Sequence, residues 1–141
     1  MRVTSMNNKE LINKAFEAMQ KAYAPYSGYK VGAALLAESG KVYTGCNIEN
    51  AAYSPSVCAE RTAIFKAVSE GETKFVKIAV CGGKDGVPDG YFYPCGVCRQ
   101  VMAEFCGADF AIITAKTPGD FKESTLGEML PYAFTKEKVN R

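Results

Sequence analysis

The chain has 141 residues, of which 48% are hydrophobic and 23% charged, with a formal net charge of +2. That size and mix fit one globular domain able to bury a real core. The near-neutral balance argues against a dedicated nucleic-acid binder or membrane-surface protein. No apolar run reaches the ~20 residues of a membrane span, and the first eight residues are too polar for a signal-peptide core. A cytoplasmic protein is expected, with residues 1–141 as a single domain and 1–6 and 136–141 flexible.

From Asn7 to Tyr23 the apolar residues Leu11, Ile12, Ala15, Phe16, Met19 and Ala22 recur at helical spacing. Asn7 or Asn8 is the candidate N-cap, and Pro25 ends the helix. Val31 to Ala37 and Lys41 to Cys46 read as a β-hairpin joined by Glu38-Ser39-Gly40. Gly45 to Val57 reads as a loop, and Cys58 to Ser69 as a helix stopped near Gly71.

Phe75 to Cys81 reads as a strand, followed by the glycine-rich loop Gly82–Tyr93. Pro94 suits a helix start, because its missing N–H costs nothing there, and that helix reaches about Cys106. Asp109 to Ala115 is a further strand. Thr117 to Lys122 reads as turn and edge, and Thr125 to Leu130 as a short helix stopped by Pro131. The order predicts a three-layer α/β/α sandwich around a mixed five-stranded sheet, with parallel pairing across helical crossovers.

Six cysteines and no histidine are present. A reducing compartment and an ample core make disulfides unnecessary, so metal binding or catalysis is the better reading. Cys95 and Cys98 are three apart at a helix start and share a face. Cys58, at a second helix start, can add a third thiolate. Three protein ligands with one open position is the catalytic zinc arrangement, whereas structural zinc takes four. Glu60, two residues beyond Cys58, is placed to move protons from a water at the open position. Pro94-Cys95-x-x-Cys98 with Cys58-x-Glu60 matches the general signature of zinc deaminases, the first ligand being Cys58 here.

Three thiolates with one Zn²⁺ carry a net charge of −1. Arg61, directly after Glu60, is the candidate to offset it by donating to a thiolate, with Arg99 as a second. Helix N-termini add partial positive charge. Cys46, Cys81 and Cys106 lack such context and read as small buried residues.

Read together, Tyr26-Ser27, Val31-Gly32-Ala33-Ala34-Leu35-Leu36, Gly45-Cys46-Asn47-Ile48-Glu49-Asn50-Ala51-Ala52-Tyr53, Cys58-Ala59-Glu60-Arg61, Pro94-Cys95-Gly96-Val97-Cys98-Arg99-Gln100 and Leu130-Pro131 with Phe134 resemble the homotetrameric cytidine deaminases over nearly the whole chain. The resemblance implies one Zn²⁺ per subunit and hydrolysis of cytidine and 2′-deoxycytidine to the uridine nucleosides, with release of ammonia. It implies that Asn47 and Glu49 hold the ribose, that Tyr29 lines the base pocket where the family usually has Phe, and that Ala59 contacts the base through its backbone. Ala51, Tyr53 and Phe134 would reach a neighbouring subunit's site in a homotetramer with composite active sites. Tyr132 stands where a small residue is common, and Gly82–Tyr93 is longer than the family norm. No nucleic acid and no membrane is implied as a partner.

Three other readings stay open on the residues alone. A polynucleotide deaminase shares the zinc segments but would want a basic stripe. A deaminase of a nucleoside antibiotic shares the chemistry. A zinc-stabilised module without activity would need a fourth ligand, Cys46 or Cys81.

Overall fold

The computed structural model describes residues 6–139. Its elements are α1 (Asn8–Met19), β1 (Tyr29–Ala37), β2 (Val42–Cys46), α2 (Ala59–Ser69), β3 (Phe75–Lys84), α3 (Gly96–Phe105), β4 (Ala111–Thr117), β5 (Asp120–Thr125) and α4 (Leu126–Met129). The strands form one sheet in the order β2-β1-β3-β4-β5. β3 and β4 pair in parallel and every other neighbouring pair is antiparallel.

Period-two alternation builds the layers. Ala34, Leu36, Ala79, Cys81, Ile113 and Ala115 point to one face, which α1 covers with Leu11, Ile12, Ala15 and Met19. Ala33, Leu35, Ala37, Ile78, Val80 and Ile112 point to the other, which α2, α3 and α4 cover. The side chains of Leu11, Ile12 and Met19 are almost wholly buried, and each contributes about 1.5–3 kcal/mol by leaving water. The mixed three-layer sandwich is the architecture the element order predicts.

Some boundaries move. α1 stops at Met19, short of Tyr23, because Tyr23 leaves the helix to bridge Ile48. Its cap is Asn7, whose side chain accepts from the Glu10 amide at 2.9 Å. β3 runs three residues past Cys81, since Gly82 and Gly83 pair with Val31 and Lys30. The polar run expected as turn and edge forms β5, held by its ladder to β4. The expected flexibility of 1–6 and 136–141 falls outside the described residues at 1–5 and 140–141. Met6 packs against the α1 core, and Lys136–Lys138 form a 3-10 turn.

Topology brings the metal segments together. β2 and β3 both run antiparallel to β1, so they point the same way. α2 follows the first and α3 follows β3 directly, and both helices therefore begin at one end of the sheet. Gly45 lets α2 lie close on β2: a Cβ there would sit 2.5 Å from the Ala59 carbonyl oxygen and 2.6 Å from the Ala63 nitrogen. Among the described residues no helix is long and apolar enough to cross a membrane.

Candidate metal centre and substrate cavity

Cys58 is the N-cap of α2 and Cys95 the N-cap of α3. The predicted start at Pro94 thus lies one residue outside the cap. Cys95 Sγ takes the capping role itself and accepts from the Cys98 amide at 3.5 Å. The sulfurs of Cys58 and Cys95 are 3.7 Å apart, and those of Cys95 and Cys98 3.5 Å. All three lie within 4.8 Å of one another. A tetrahedral zinc with bonds of about 2.3 Å spaces its sulfurs about 3.8 Å apart, so three soft donors on this triangle fit Zn²⁺. Among the described residues no fourth Cys, Asp or Glu joins the group. Cys81 sits on the α1 face of the sheet and Cys46 in a separate groove beside Lys14, Lys21 and Lys66. The four-ligand structural site therefore has no candidate.

Electrostatics favour thiolate at Cys58. The Cys98 thiol hydrogen-bonds Cys58 and lowers its pKa to about 5, with Arg61 and Cys95 helping. That same shared bond, with burial, holds the Cys98 thiol above its ordinary range. Arg61 Nη2 donates to Cys58 Sγ at 3.5 Å, as its sequence position suggested. This bond keeps the guanidinium charged. Arg61 Nε is buried without a hydrogen-bond partner. Arg99 does something else: its Nε donates to the Pro94 carbonyl and its Nη1 to the Met129 carbonyl, each at 2.7 Å. It ties the Cys95 segment to the end of α4 rather than assisting a sulfur.

Beside the sulfurs opens a cavity of about 440 Å³, within the range of small-molecule sites. Glu60 lines it and is only 4% exposed. Burial, then the neighbouring Cys58 thiolate, raises its pKa to about 7. Ala59 and Arg61 line the same end.

Asn47 and Glu49 line the cavity too. Ile48 bridges Tyr23 on one side and Val57 on the other, so the segment is extended and its neighbours 47 and 49 share a side. Asn47 Oδ1 accepts from the Val31 amide and its Nδ2 donates to the Tyr29 carbonyl, both at 2.8 Å. One N–H and one lone pair remain for a ligand. Glu49 Oε1 accepts from the amides of Tyr26 and Ser27 at 3.0 and 3.1 Å, and Oε2 accepts from the Ser27 hydroxyl. These bonds, led by the Ser27 hydroxyl, hold its pKa below the ordinary carboxylate value. Sequence reasoning gave Ser27 no role; a serine before a glycine turn offers no signal of the carboxylate it will meet 22 residues later.

The remaining expected site residues divide. Tyr53 lines the cavity edge and is 81% exposed. Ala51 is exposed. Tyr29 is not part of the cavity lining; its ring tilts against Phe92, which is, with centroids 6.0 Å apart. Phe134 lines a different groove with Gln100 and Glu104, and its carbonyl accepts from Gln100 Nε2 at 2.7 Å. Tyr132 adopts a left-handed φ of 56° and projects fully into solvent.

Comparison with known proteins agrees with this geometry. Residues 5–114 match the family model described as the cytidine and deoxycytidylate deaminase zinc-binding region. A cytidine deaminase of Halalkalibacterium halodurans is 51% identical over 136 residues, covering 96% of this chain and 99% of its own. One of Sporosarcina psychrophila is 48% identical over 135 residues, covering 96% of both. The crystal structure of a cytidine deaminase from Burkholderia pseudomallei superposes with a TM-score of 0.84 at 45% identity, over 92% of this chain and 100% of that one. A triangle of cysteine sulfurs at two helix starts, a buried glutamate beside it and this degree of likeness place the chain in the cytidine and deoxycytidylate deaminase zinc-binding family.

Proposed function

We infer that the cavity is where this chain carries out hydrolytic deamination of cytidine and 2′-deoxycytidine to the uridine nucleosides. One observation carries the reading: a buried carboxyl, Glu60, lines a cavity with Cys58 and Cys95, two of the three cysteines whose sulfurs are spaced for zinc. Cys58, Cys95 and Cys98 hold the ion, which when bound lowers the pKa of water and supplies the nucleophile at neutral pH.

The chain's own residues do the rest. Glu60 takes a proton from the attacking water and delivers it to N3 as the water oxygen adds to C4. It then carries the remaining hydroxyl proton to the exocyclic amine, so that ammonia leaves and C4 becomes a carbonyl. Buried in the cavity beside Cys58 and Cys95, its carboxyl is placed both to accept and to donate. Asn47 and Glu49 take the ribose hydroxyls, the first through its spare N–H and lone pair, the second as an ionised acceptor. Ala59 meets the base through its backbone.

The chain works as one domain in the cytoplasm and assembles as a homotetramer in this reading. Phe134 lies outside its own chain's cavity, Tyr53 is exposed at the cavity edge and Ala51 is exposed, which supports a site shared between subunits. No nucleic acid or membrane is a partner. The test is turnover of cytidine by the purified zinc-loaded protein, with Glu60→Ala as control and sedimentation to give the oligomer. Loss of turnover in the control is expected. Folded, zinc-loaded protein that leaves cytidine untouched would refute the assignment.

A further inference from the structure

The long glycine-rich loop before the zinc cysteines has a place in the site. After Gly83 the chain turns through Asp85 and Gly86, with φ of 55° and 81°, and returns as three consecutive aromatics, Tyr91, Phe92 and Tyr93. Tyr91 is pinned outward. Its hydroxyl donates to Asp120 Oδ1 at 2.5 Å, and Lys122 Nζ stands 4.5 Å from its ring centroid.

Phe92 turns inward. Its ring rests where β3 is bare: a Cβ on Gly82 would meet Phe92 Cδ2 at 3.2 Å and Val31 Cγ2 at 3.1 Å. Any larger residue at 82 would push the ring away. Behind Phe92 stands Tyr29, and Lys84 Nζ lies 5.3 Å from the Tyr29 centroid while donating to the Ser27 carbonyl at 2.9 Å. The ring is thus seated from below and braced from behind.

Val31, Val80 and Phe92 form the apolar wall of the cavity, whose other residues include the metal end at Cys58, Glu60 and Cys95 and the polar pair Asn47 and Glu49. A pyrimidine nucleoside held at both ends has to lie along that wall. We propose that Phe92 is a specificity-determining residue that touches the pyrimidine ring and limits the bulk it can carry, and that Tyr29 is a positioning residue behind it. This rests on the deaminase reading given above.

The experiment compares kcat/KM for cytidine and 5-methylcytidine in the wild-type protein, Phe92→Leu and Phe92→Ala, all zinc-loaded. Turnover of cytidine by the wild type tests the underlying reading; the ratio between substrates tests Phe92. One methyl group in an apolar pocket is worth about 10- to 200-fold in discrimination. The ratio of 5-methylcytidine to cytidine is therefore expected to rise at least about tenfold in Phe92→Ala and less in Phe92→Leu. Cytidine itself should lose mainly through KM, the mark of a lost binding contact. An equal loss on both substrates, or no change on either, would overturn the proposal. Should Phe92→Ala fail to fold, an unchanged ratio in Phe92→Leu overturns it alone.

Discussion

Replacing Arg61 by glutamine removes a cationic side chain that touches a metal-binding sulfur. Zinc with three thiolates carries a charge of −1, and the Arg61 guanidinium, 3.5 Å from Cys58 Sγ, brings the cluster to neutrality. At an effective dielectric of 20 that contact is worth about 5 kcal/mol gross. Arg61 is only partly buried, and the net value of a charge-assisted bond is nearer about 1.5–3 kcal/mol. The buried Nε has no partner to lose, so the effect should come from what the guanidinium offers the sulfurs, the Nη2 bond to Cys58 first and its interaction with Cys98 second. Zinc affinity should fall about 10- to 100-fold, the usual range for a residue that supports a metal ligand. Competition with a chromophoric chelator measures this directly, and kcat/KM for cytidine should fall with it. Arg61→Lys should recover part of the loss, because it restores the charge but not the fork. Affinity and turnover both within about twofold of wild type in Arg61→Gln would show that the guanidinium does not support the thiolate.

Three further outcomes follow from named contacts. In zinc-stripped protein, burial raises the Glu60 pKa from 4.5 to about 7, so its contribution to stability is intact below pH 4.5 and lost as pH climbs through 7. Glu60→Gln should then be more stable than wild type at pH 8 by up to roughly 3 kcal/mol, with no difference near pH 4, by urea unfolding in chelator. Gly45→Ala forces a methyl into the Ala59 carbonyl and the Ala63 nitrogen; it should cost about 1–3 kcal/mol by thermal unfolding and weaken zinc binding too, because Cys58 caps the displaced helix. Ser27→Ala frees one oxygen of Glu49; KM for cytidine should rise about 3- to 10-fold with kcat nearly unchanged, read by steady-state kinetics.

The metal centre was legible because its logic is local: two cysteines three apart, a third at another helix start, and a glutamate two residues on. The alternation of strands and helices after the hairpin likewise announced a sheet covered on both faces. What stayed hidden depended on contacts distant in sequence. Gly82 and Gly83 read as loop, yet a ladder partner in Val31 and Lys30 overrides their weak strand preference. The fifth, edge strand is expected around 117–122 but lies at Asp120–Thr125, because only its ladder to β4 sets where so polar a run begins. Tyr29 was expected against the base; no spacing rule tells that Phe92, 63 positions later, is seated in front of it. Arg99 read as a helper of the sulfurs because it follows one, and its bonds to Pro94 and Met129 become visible only when α4 is in place.

The position of the sulfurs also bears on how the chain behaves when it is not folded. Cys58 and Cys95 are separated by 37 residues, and that stretch contains all of α2 and β3. An ion held by both cysteines is a cross-link that takes the slack out of this segment. A covalent bridge closing a loop of that length removes about 4 kcal/mol of chain entropy from the denatured ensemble. Zinc is thus a fastener of the sheet as well as a reagent, and a cell starved of it would hold a protein that melts earlier, not merely one that is idle.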